Sequence, residues 1–414
     1  MKLKNHKPPA KLRKPELMAP AGDWIMLRAA IKAGADAVYF GVENLNMRSK
    51  AKNFSIGELK QISDYCKSKK VKTYLTLNTI IFEDELAEVE RIIKEAKRSK
   101  IDRIICWDLA VAELCNKNRF PFCISTQSSV SNSIAALAFK KLGAVRIVLA
   151  RECSLDDIRK IKKQTDLEIE AFIHGAMCIA VSGRCFMSHH LFAQSANRGD
   201  CIQPCRREYE VYDSASGKSI LLGDDYVLSP KDLCTIEFID QLIEAGIDSF
   251  KIEGRKRSPE YVAKTVSVYR KAIDLYFKKK LTAEKKKDFL RELETVYNRG
   301  FSTGFYFGKP SSEDYAGVEG SRSTTRKVYI GKVLNYFKKP KAAHILLESG
   351  NLKVNDQILI IGETTGLIEM SLKEMFINEK KSDFAKKGDE VTFVTPELVR
   401  RNDRIYVLEN TEVQ

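Results

Sequence analysis

Short apolar runs alternate with amphipathic segments along the first 255 residues of the chain. The runs have the length of β-strands, and the segments between them, such as "EDELAEVERIIKEAKRSK", carry apolar residues at the three- and four-residue spacing of helices. Eight runs occur, at 16–21, 36–42, 71–78, 103–108, 121–127, 145–150, 167–175 and 249–255. Eight strands that alternate with helices, with no glycine-rich phosphate loop after the first, favour a TIM-like (β/α)8 barrel over an open doubly wound sheet.

The spacing of the runs breaks once, between the seventh and the eighth, which lie more than seventy residues apart. The insertion at 176–245 therefore follows the carboxyl end of strand seven, the end of a TIM barrel at which chemistry takes place. It holds five of the ten cysteines of the chain, namely Cys178, Cys185, Cys201, Cys205 and Cys234. We predict a cysteine-rich loop above the active-site face.

From Lys327 the hydrophobic pattern changes to a period of two residues, as in "KVYIGKVLNYF" and "DEVTFVTP", which is typical of short strands joined by turns. Residues 310–325 are rich in Ser, Gly and Thr and indicate a linker. The pattern predicts a catalytic barrel domain at 14–310 and a small β-barrel domain at 326–410. The segment "KVNDQILIIG" resembles the second domain of elongation factor Tu.

The net charge of +15 over 414 residues indicates a polyanionic partner such as RNA, or simply a lysine-rich composition. The N-terminus lacks the apolar stretch of a secretory signal, and no run of eighteen apolar residues occurs, so we expect a cytoplasmic protein without membrane spans. Thiols in that compartment stay reduced, so clustered cysteines indicate metal or redox chemistry rather than disulfides. The composition leaves the oligomeric state open.

Polar residues recur at the carboxyl ends of the predicted strands, which would bring them to one rim of the barrel. They are Asn78, Asp108, Gln127, Arg151, Glu152, His174, Lys251, Glu253 and Arg255. Some could instead cap helices, as Asp108 could. Lys251 and Arg255 could bind the carboxylates of a small acid, or they could form structural ion pairs with Glu253 and Glu170.

Several interpretations of the cysteine-rich loop stay open from spacing alone. An iron–sulfur cluster suits the loose gaps, because its four cysteines can come from separated points of a loop. A zinc site suits them less, because zinc knuckles place cysteines close together and only Cys201 and Cys205 are so placed. A peptidase would instead pair Cys178 or Cys185 as nucleophile with His174 as base. The cysteines could also bind no metal.

Several segments of the chain closely resemble peptidase family U32, the collagenase-like proteins. They are "EAFIHGAMCIAVSGRC", "NRGDCIQPCRREYEVYD", "LSPKDLC" and "SFKIEGRKRSPEYVAKTVSVYRKAID". The opening "ELMAPAGDWIMLRAAIKAGADAVYFG" and the closing "NRGFSTGFYFG" are similar to the family as well. The likeness extends over about residues 14–405 and includes both predicted domains.

The resemblance implies that the chain is similar to the tRNA hydroxylation proteins of the family, which have two domains and this length. These proteins are associated with 5-hydroxyuridine at the wobble position of tRNA, with prephenate as co-substrate and with an iron–sulfur cluster of the 4Fe-4S type. The cluster ligands implied are Cys178, Cys185 and Cys201, with either Cys205 or Cys234 as the fourth. Peptidase activity, rRNA hydroxylation and a non-catalytic scaffold stay as alternatives.

The predicted catalytic residues are His174, Lys251, Glu253 and Arg255. The residues that follow Cys205 are predicted to contact phosphate or stack on a base, or else only to form a solvated loop; they are Arg206, Arg207 and Tyr209. In the C-terminal domain, lysines around the turn "NYFKKPKAAH" could meet phosphate in solvent, or could simply blunt a sheet edge. They are Lys338 and Lys339, with Lys332 and Lys341.

Overall fold

The structure is a computed structural model that describes residues 12–49, 51–207, 209–222, 229–316 and 320–411. Its first strands are β1 (Glu16–Pro20), β2 (Ala37–Phe40), β3 (Lys72–Thr76), β4 (Arg103–Cys106), β5 (Phe122–Ile124), β6 (Arg146–Val148), β7 (Glu168–Gly175), β8 (Tyr209–Asp213), β9 (Lys218–Leu222), β10 (Asp232–Cys234), β11 (Ser249–Ile252) and β12 (Phe301–Ser302). The helices are α1 (Trp24–Lys32), α2 (Leu59–Ser68), α3 (Leu86–Arg98), α4 (Leu109–Lys117), α5 (Ser133–Lys141), α6 (Leu155–Gln164), α7 (Met187–Phe192), α8 (Ile239–Glu244), α9 (Pro259–Phe277) and α10 (Ala283–Glu294).

Eight parallel strands close into a barrel. Strands β1 to β7 pair in chain order, and β11 pairs with both β7 and β1, which completes the ring. Each of the eight predicted runs forms one of these strands, so the predicted TIM-like barrel is confirmed. The insertion between β7 and β11 adds a hairpin of β8 and β9, and places β10 antiparallel to β7.

Several helices of the barrel begin at a capping side chain just beyond a strand end. Asp23 accepts a 2.8 Å hydrogen bond from the Met26 amide at the start of α1, and Asp108 accepts one of 2.9 Å from Ala110 at the start of α4. Such caps satisfy amides that the helix itself leaves free. Asp108 is therefore a helix cap, as the alternative interpretation of the sequence allowed.

Four alternating charges fill the barrel from its amino-terminal end, and we call them the charge column. Arg146 Nη1 lies 2.7 Å from a carboxylate oxygen of Glu16 and 2.9 Å from one of Glu170. Lys251 Nζ lies 2.9 Å from the other oxygen of Glu170. Arg146, Glu170 and Lys251 are buried, and each of these charges has an ionic neighbour that offsets the cost of its burial. The Lys251 end of the column reaches the carboxyl end of the barrel.

The C-terminal strands are β13 (Thr325–Phe337), β14 (Ala342–Leu347), β15 (Asn351–Lys353), β16 (Gln357–Gly362), β17 (Gly366–Ser371), β18 (Met375–Ile377), β19 (Lys380–Ser382), β20 (Phe384–Lys386), β21 (Glu390–Val394) and β22 (Arg404–Asn410). They form an antiparallel sheet, with the order β17-β16-β22-β13-β14-β21-β18-β19, and a separate pair of β15 with β20. No pairing in the described part of the chain joins β17 to β19, so the predicted closure into a small β-barrel is not seen there. The division at 310 and 326 stays a prediction.

The antiparallel sheet packs on the outside of the barrel, against α1 and α9. Ala29 of α1 is buried with Leu359 and Leu367 in a small apolar cluster. Arg28 Nε donates a 3.0 Å hydrogen bond to the carbonyl of Glu363, so a polar contact joins the two parts as well. Among the residues that the structure describes, no helix is both long and apolar enough to cross a membrane.

Candidate functional site

A cavity of about 150 Å³ lies at the carboxyl ends of the barrel strands, under the cysteine-rich loop. Six of the predicted rim residues line it, namely Asn78, Gln127, Arg151, Lys251, Glu253 and Arg255. Asp108, Glu152 and His174 do not. The cavity is about as large as one that admits a benzene ring in another protein. The site can therefore take one six-membered ring.

The cysteine-rich loop forms the roof of this cavity and is tied down on several sides. Lys256 Nζ donates a 2.8 Å hydrogen bond to the carbonyl of Cys201, and Arg206 Nη2 donates one of 2.7 Å to that of Met177. The loop also packs tightly on the segment after β2. Gly199 has a φ of +90°, and a Cβ there would lie 2.2 Å from the carbonyl oxygen of Asn46, so only glycine fits.

Two cations of the cavity have ionic partners. Arg48 Nη2 lies 3.2 Å from a carboxylate oxygen of Glu253, and Lys251 is held by Glu170 at the end of the charge column. The pKa of Glu253 is lowered: burial alone would raise it, but Arg48 and other cations outweigh burial. The sequence left Lys251 either to bind a small acid or to form a structural ion pair. In the structure it pairs with Glu170, whereas Glu253 pairs with Arg48.

Two further cations of the cavity have no carboxylate partner among the described residues: Arg255 is buried and Arg151 is half-buried. Arg255 donates 3.0 and 3.2 Å hydrogen bonds to the side-chain oxygens of Asn46 and Thr76, and its Nε has no partner in the described residues. Arg151 donates to the carbonyl of Ala176 at 3.0 Å, and its Nε is likewise unpartnered there. Burial lowers the pKa of Arg255 to about 10 and lowers that of Arg151 as well. Buried cations without a carboxylate are costly unless an anion binds.

Four cysteines lie together in the roof. Burial raises the pKa of the Cys205 thiol to about 11, Arg206 opposes this rise, and Cys178, Cys201 and Cys185 are near enough for their charges to add to it. Three of them, Cys178, Cys201 and Cys205, also line the cavity.

Backbone amides already point at two of these sulfurs. The amide of Met187 donates to Cys185 Sγ at 3.4 Å, and that of Gln203 donates to Cys201 Sγ at 3.3 Å. Hydrogen bonds of this kind surround the thiolates of iron–sulfur clusters. The side chains would still need to turn, because no three His, Cys, Asp or Glu side chains among the described residues converge to hold a metal ion. The donor set fits a cluster in number, chemistry and backbone support.

Cys234 lies apart from these four cysteines. It belongs to β10, where it is buried, and its Sγ lies 3.7 Å from the hydroxyl of Tyr269. Burial raises the pKa of its thiol to about 12, but it also raises that of Cys205 to about 11, so position rather than pKa separates the two cysteines. Of the two candidates for the fourth ligand, the structure favours Cys205.

The model of Peptidase family U32 matches residues 22–316, which is more than half of the chain. The chain belongs to peptidase family U32. The resemblance predicted from the sequence is thereby confirmed.

Relatives match nearly the whole chain. An uncharacterized protease of Methanocaldococcus jannaschii is 43% identical, and the match covers 96% of this chain and 98% of the relative. A protein named Collagenase from Porphyromonas gingivalis is 40% identical, with the same coverage of 96% and 98%. The tRNA hydroxylation protein P1 of Bacillus subtilis is 38% identical over 93% of this chain and 85% of its own length. This U32 chain is thus similar both to proteins named for proteolysis and to one named for tRNA hydroxylation.

His174 lies behind the cavity wall rather than on it. Its imidazole packs against the rings of Tyr261, Tyr269 and Phe301, and only 1% of the residue is exposed. Burial, helped by Arg257, lowers the pKa of His174 to about 3, so the ring is neutral at physiological pH. The predicted position of His174 at the rim is therefore wrong, because the side chain points to the helix side of β7. This placement gives no support to its predicted catalytic role.

The neutral state of His174 predicts a loss of stability in mild acid. The imidazole of His174 takes up a proton near pH 6.5 in the unfolded chain but only near pH 3 in the folded chain. Its contribution to the free energy of unfolding therefore falls as pH drops below 6.5. Between pH 6.5 and 5 the loss should be about 2 kcal/mol. Urea unfolding of the parent and of the His174→Gln variant at both pH values measures it. An equal loss in the two proteins would assign the acid sensitivity to other groups.

The residues predicted to bind RNA occupy three different places. Arg206 lines the cavity, whereas Arg207 is exposed, with its guanidinium 4.5 Å from the ring centre of Phe192. Tyr209 donates a 2.8 Å hydrogen bond to the carbonyl of Pro204. Lys338, Lys339 and Lys341 are exposed on the turn between β13 and β14. Lys332 is not part of that turn, because it pairs with Glu348 at 2.6 Å.

Sequence reasoning missed Arg48 and Lys256 as cavity residues. Arg48 follows β2 in the polar segment "GVENLNMRSK", so its position after a strand end was an available signal. Lys256 follows β11 in the same way. Neither could be chosen over neighbouring polar residues without knowing how the loops bend over the barrel.

Proposed function

We propose that this protein hydroxylates a pyrimidine base of RNA, specifically the wobble uridine of tRNA to 5-hydroxyuridine, with prephenate as co-substrate. The observation that carries the proposal is the cavity that Arg151 and Arg255 line without carboxylate partners among the described residues, together with Cys178, Cys201 and Cys205 of the roof. The name of the relative from Bacillus subtilis supports the choice of tRNA.

Prephenate suits the shape and charge of the cavity. It is a six-membered ring that carries two carboxylates, and the cavity takes one such ring between two unpaired guanidinium groups. Each guanidinium can donate two parallel hydrogen bonds to a carboxylate, which is the strongest form of this contact. Lys251 and Arg48 are less available because Glu170 and Glu253 already neutralise them.

The cluster proposed for the roof would be held by Cys178, Cys185, Cys201 and Cys205. Such a cluster would supply one-electron redox chemistry at the mouth of the cavity. The residues of the chain itself do the rest: Arg151 and Arg255 orient the acid, and the loop around Cys201 excludes water from above. The target base has to leave its stack to reach the mouth of the cavity beside the acid, and this is easiest in a single-stranded loop such as the anticodon loop.

The peptidase alternative requires Cys178 or Cys185 to lie within reach of His174. That pair is not assembled, because Cys178 lines the cavity while the ring of His174 is enclosed by Tyr261, Tyr269 and Phe301. The imidazole is also too weak a base to activate a thiol at neutral pH, since its pKa is about 3.

Mass spectrometry of nucleosides from a deletion strain tests the proposed function. Digests of purified tRNA should lose 5-hydroxyuridine and its derivatives, and a plasmid copy of the gene should restore them. Digests of 23S rRNA from the same cells provide the comparison, because a loss confined to rRNA would favour the rRNA alternative. Unchanged nucleosides in both RNAs would refute the proposal.

Replacing either unpaired arginine should weaken binding of the acid. We expect Arg151→Gln and Arg255→Gln each to weaken prephenate binding about 30-fold or more, because about 2 kcal/mol or more is lost when one side of a buried charge pair is removed. Isothermal titration calorimetry measures the change. Arg159→Gln, on the exposed side of α6, is the matched control and should bind like the parent. Parent-like binding by both cavity variants would show that the acid is held elsewhere.

A further inference from the structure

A groove of about 850 Å³ separates the barrel from the antiparallel sheet and runs to the edge of the cavity. Arg255 and Lys256 line both the groove and the cavity, so the two spaces meet at these residues. One wall comes from the barrel, from loops that include Lys52 and Lys256. The other comes from the sheet, where β13 contributes Lys327 and β22 contributes Arg404.

The groove is strongly cationic. Six of its lining residues are basic and two are acidic; the basic ones are Lys52, Arg255, Lys256, Arg257, Lys327 and Arg404, and the acidic ones are Asp23 and Glu363. Arg404 and Lys256 are exposed and have no carboxylate within 4.0 Å in the described part of the chain. Lys327 and Lys52 have the exposed or half-buried partners Glu260 and Asp23, at 2.7 and 3.0 Å. Such surface pairs are weak and can exchange for a phosphate.

The two walls of the groove are held at a fixed separation. Lys264 of α9 lies 3.2 Å from Glu369 of β17, and Ala29 of α1 is buried against Leu359 and Leu367. The cations therefore stand in place before any ligand arrives, which lowers the cost of ordering them.

We propose that the backbone of one RNA strand lies in this groove, with its phosphates on Arg404 and Lys327 of the sheet and on Lys52 and Lys256 of the barrel. This inference rests on the proposed function, and it names the surface that presents the RNA. The base next to Lys256 is then the one that turns toward the mouth of the cavity, because the groove meets the cavity there. Phosphate contacts of this kind fix the register of the strand while the cavity selects the base.

The test compares a charge reversal in the groove with an equal reversal elsewhere among the C-terminal strands and turns. The groove variant is Lys327→Glu with Arg404→Glu, and the control is Lys386→Glu with Lys387→Glu, two exposed lysines outside the groove lining. Filter binding of unfractionated tRNA is measured at several salt concentrations, and calorimetry of prephenate checks the cavity. The neutral pair Lys327→Gln with Arg404→Gln replaces the reversal if the latter fails to fold.

We expect the groove variant to bind tRNA at least 10-fold more weakly and to lose about two units from the slope of log affinity against log salt. The control should bind tRNA like the parent, and all variants should bind prephenate alike. If the parent binds tRNA and the groove variants bind it equally well, the groove inference is overturned while the proposed function stands. If the parent binds no RNA at any salt concentration, the proposed function fails, and the groove inference with it.

Discussion

Replacing Cys185 with serine is expected to remove all iron and acid-labile sulfide from anaerobically purified protein, whereas replacing Cys234 should leave both at the parent level. The difference follows from geometry, since Cys185 is among the sulfurs around Cys205 and Cys234 is buried beside Tyr269. A cubane cluster needs four thiolates, and a serine oxygen is a poor substitute for one of them. Cys205→Ser should behave like Cys185→Ser.

Iron and sulfide assays together with the visible spectrum measure this result without depending on catalysis. The Cys234→Ser variant is the matched control, because it is the same substitution within the same insertion. Full iron content in Cys185→Ser would contradict the assignment of the cluster to these cysteines. Iron lost from Cys234→Ser but kept in Cys205→Ser would instead make Cys234 the fourth ligand and would require β10 to move.

The second large effect concerns folding and comes from the charge column. Glu170→Ala should lower the free energy of unfolding by about 3–5 kcal/mol, because it leaves Arg146 and Lys251 buried with one carboxylate fewer between them. Burial alone would raise the pKa of Glu170, but Lys251 and Arg146 lower it below its usual range. The stabilisation is therefore present at neutral pH and is lost as pH falls through that lowered pKa.

Urea unfolding followed by tryptophan fluorescence reports on the barrel, because Trp24 and Trp107 both belong to it. Asp156→Asn serves as the control: it breaks an exposed pair with Arg159, which should cost less than about 1 kcal/mol. Equal stability losses in the two variants would mean that the column contributes no more than a surface ion pair. Glu170→Gln keeps the volume of the side chain and separates the loss of charge from the loss of packing.

The barrel could be predicted from the sequence because each strand and helix pair carries its own local signal. The eight apolar runs and the amphipathic segments between them were enough to place every barrel strand. Strand β22 was missed although it lies between β13 and β16, since "RIYVLEN" at the end of the chain was not weighed as a strand. Its run of Ile405, Tyr406, Val407 and Leu408 is rich in the β-branched and aromatic residues that favour strands, so a strand signal was present.

The functional site was harder to predict, because it depends on where side chains point and how far apart they lie rather than on their order along the chain. His174 and Lys251 both lie near strand ends, yet one points outward to α9 and the other into the barrel. Likewise Cys205 and Cys234 are equally plausible ligands by spacing, and only the path of the insertion separates them. Sequence periodicity gives the face of a strand, but a loop has no periodicity from which its sulfurs could be placed.

The charge column also constrains how this barrel can change over evolutionary time. Glu16 and Arg146 have further partners in Lys72 and Glu168, whereas Glu170 is the one carboxylate within 4.0 Å of Lys251 among the described residues. We expect Glu170 and Lys251 to be inherited together, with intermediates that have lost one of the two being rare. A lineage that replaces both by apolar residues would also lose an ammonium group from the cavity lining, so the floor of its cavity should be less polar.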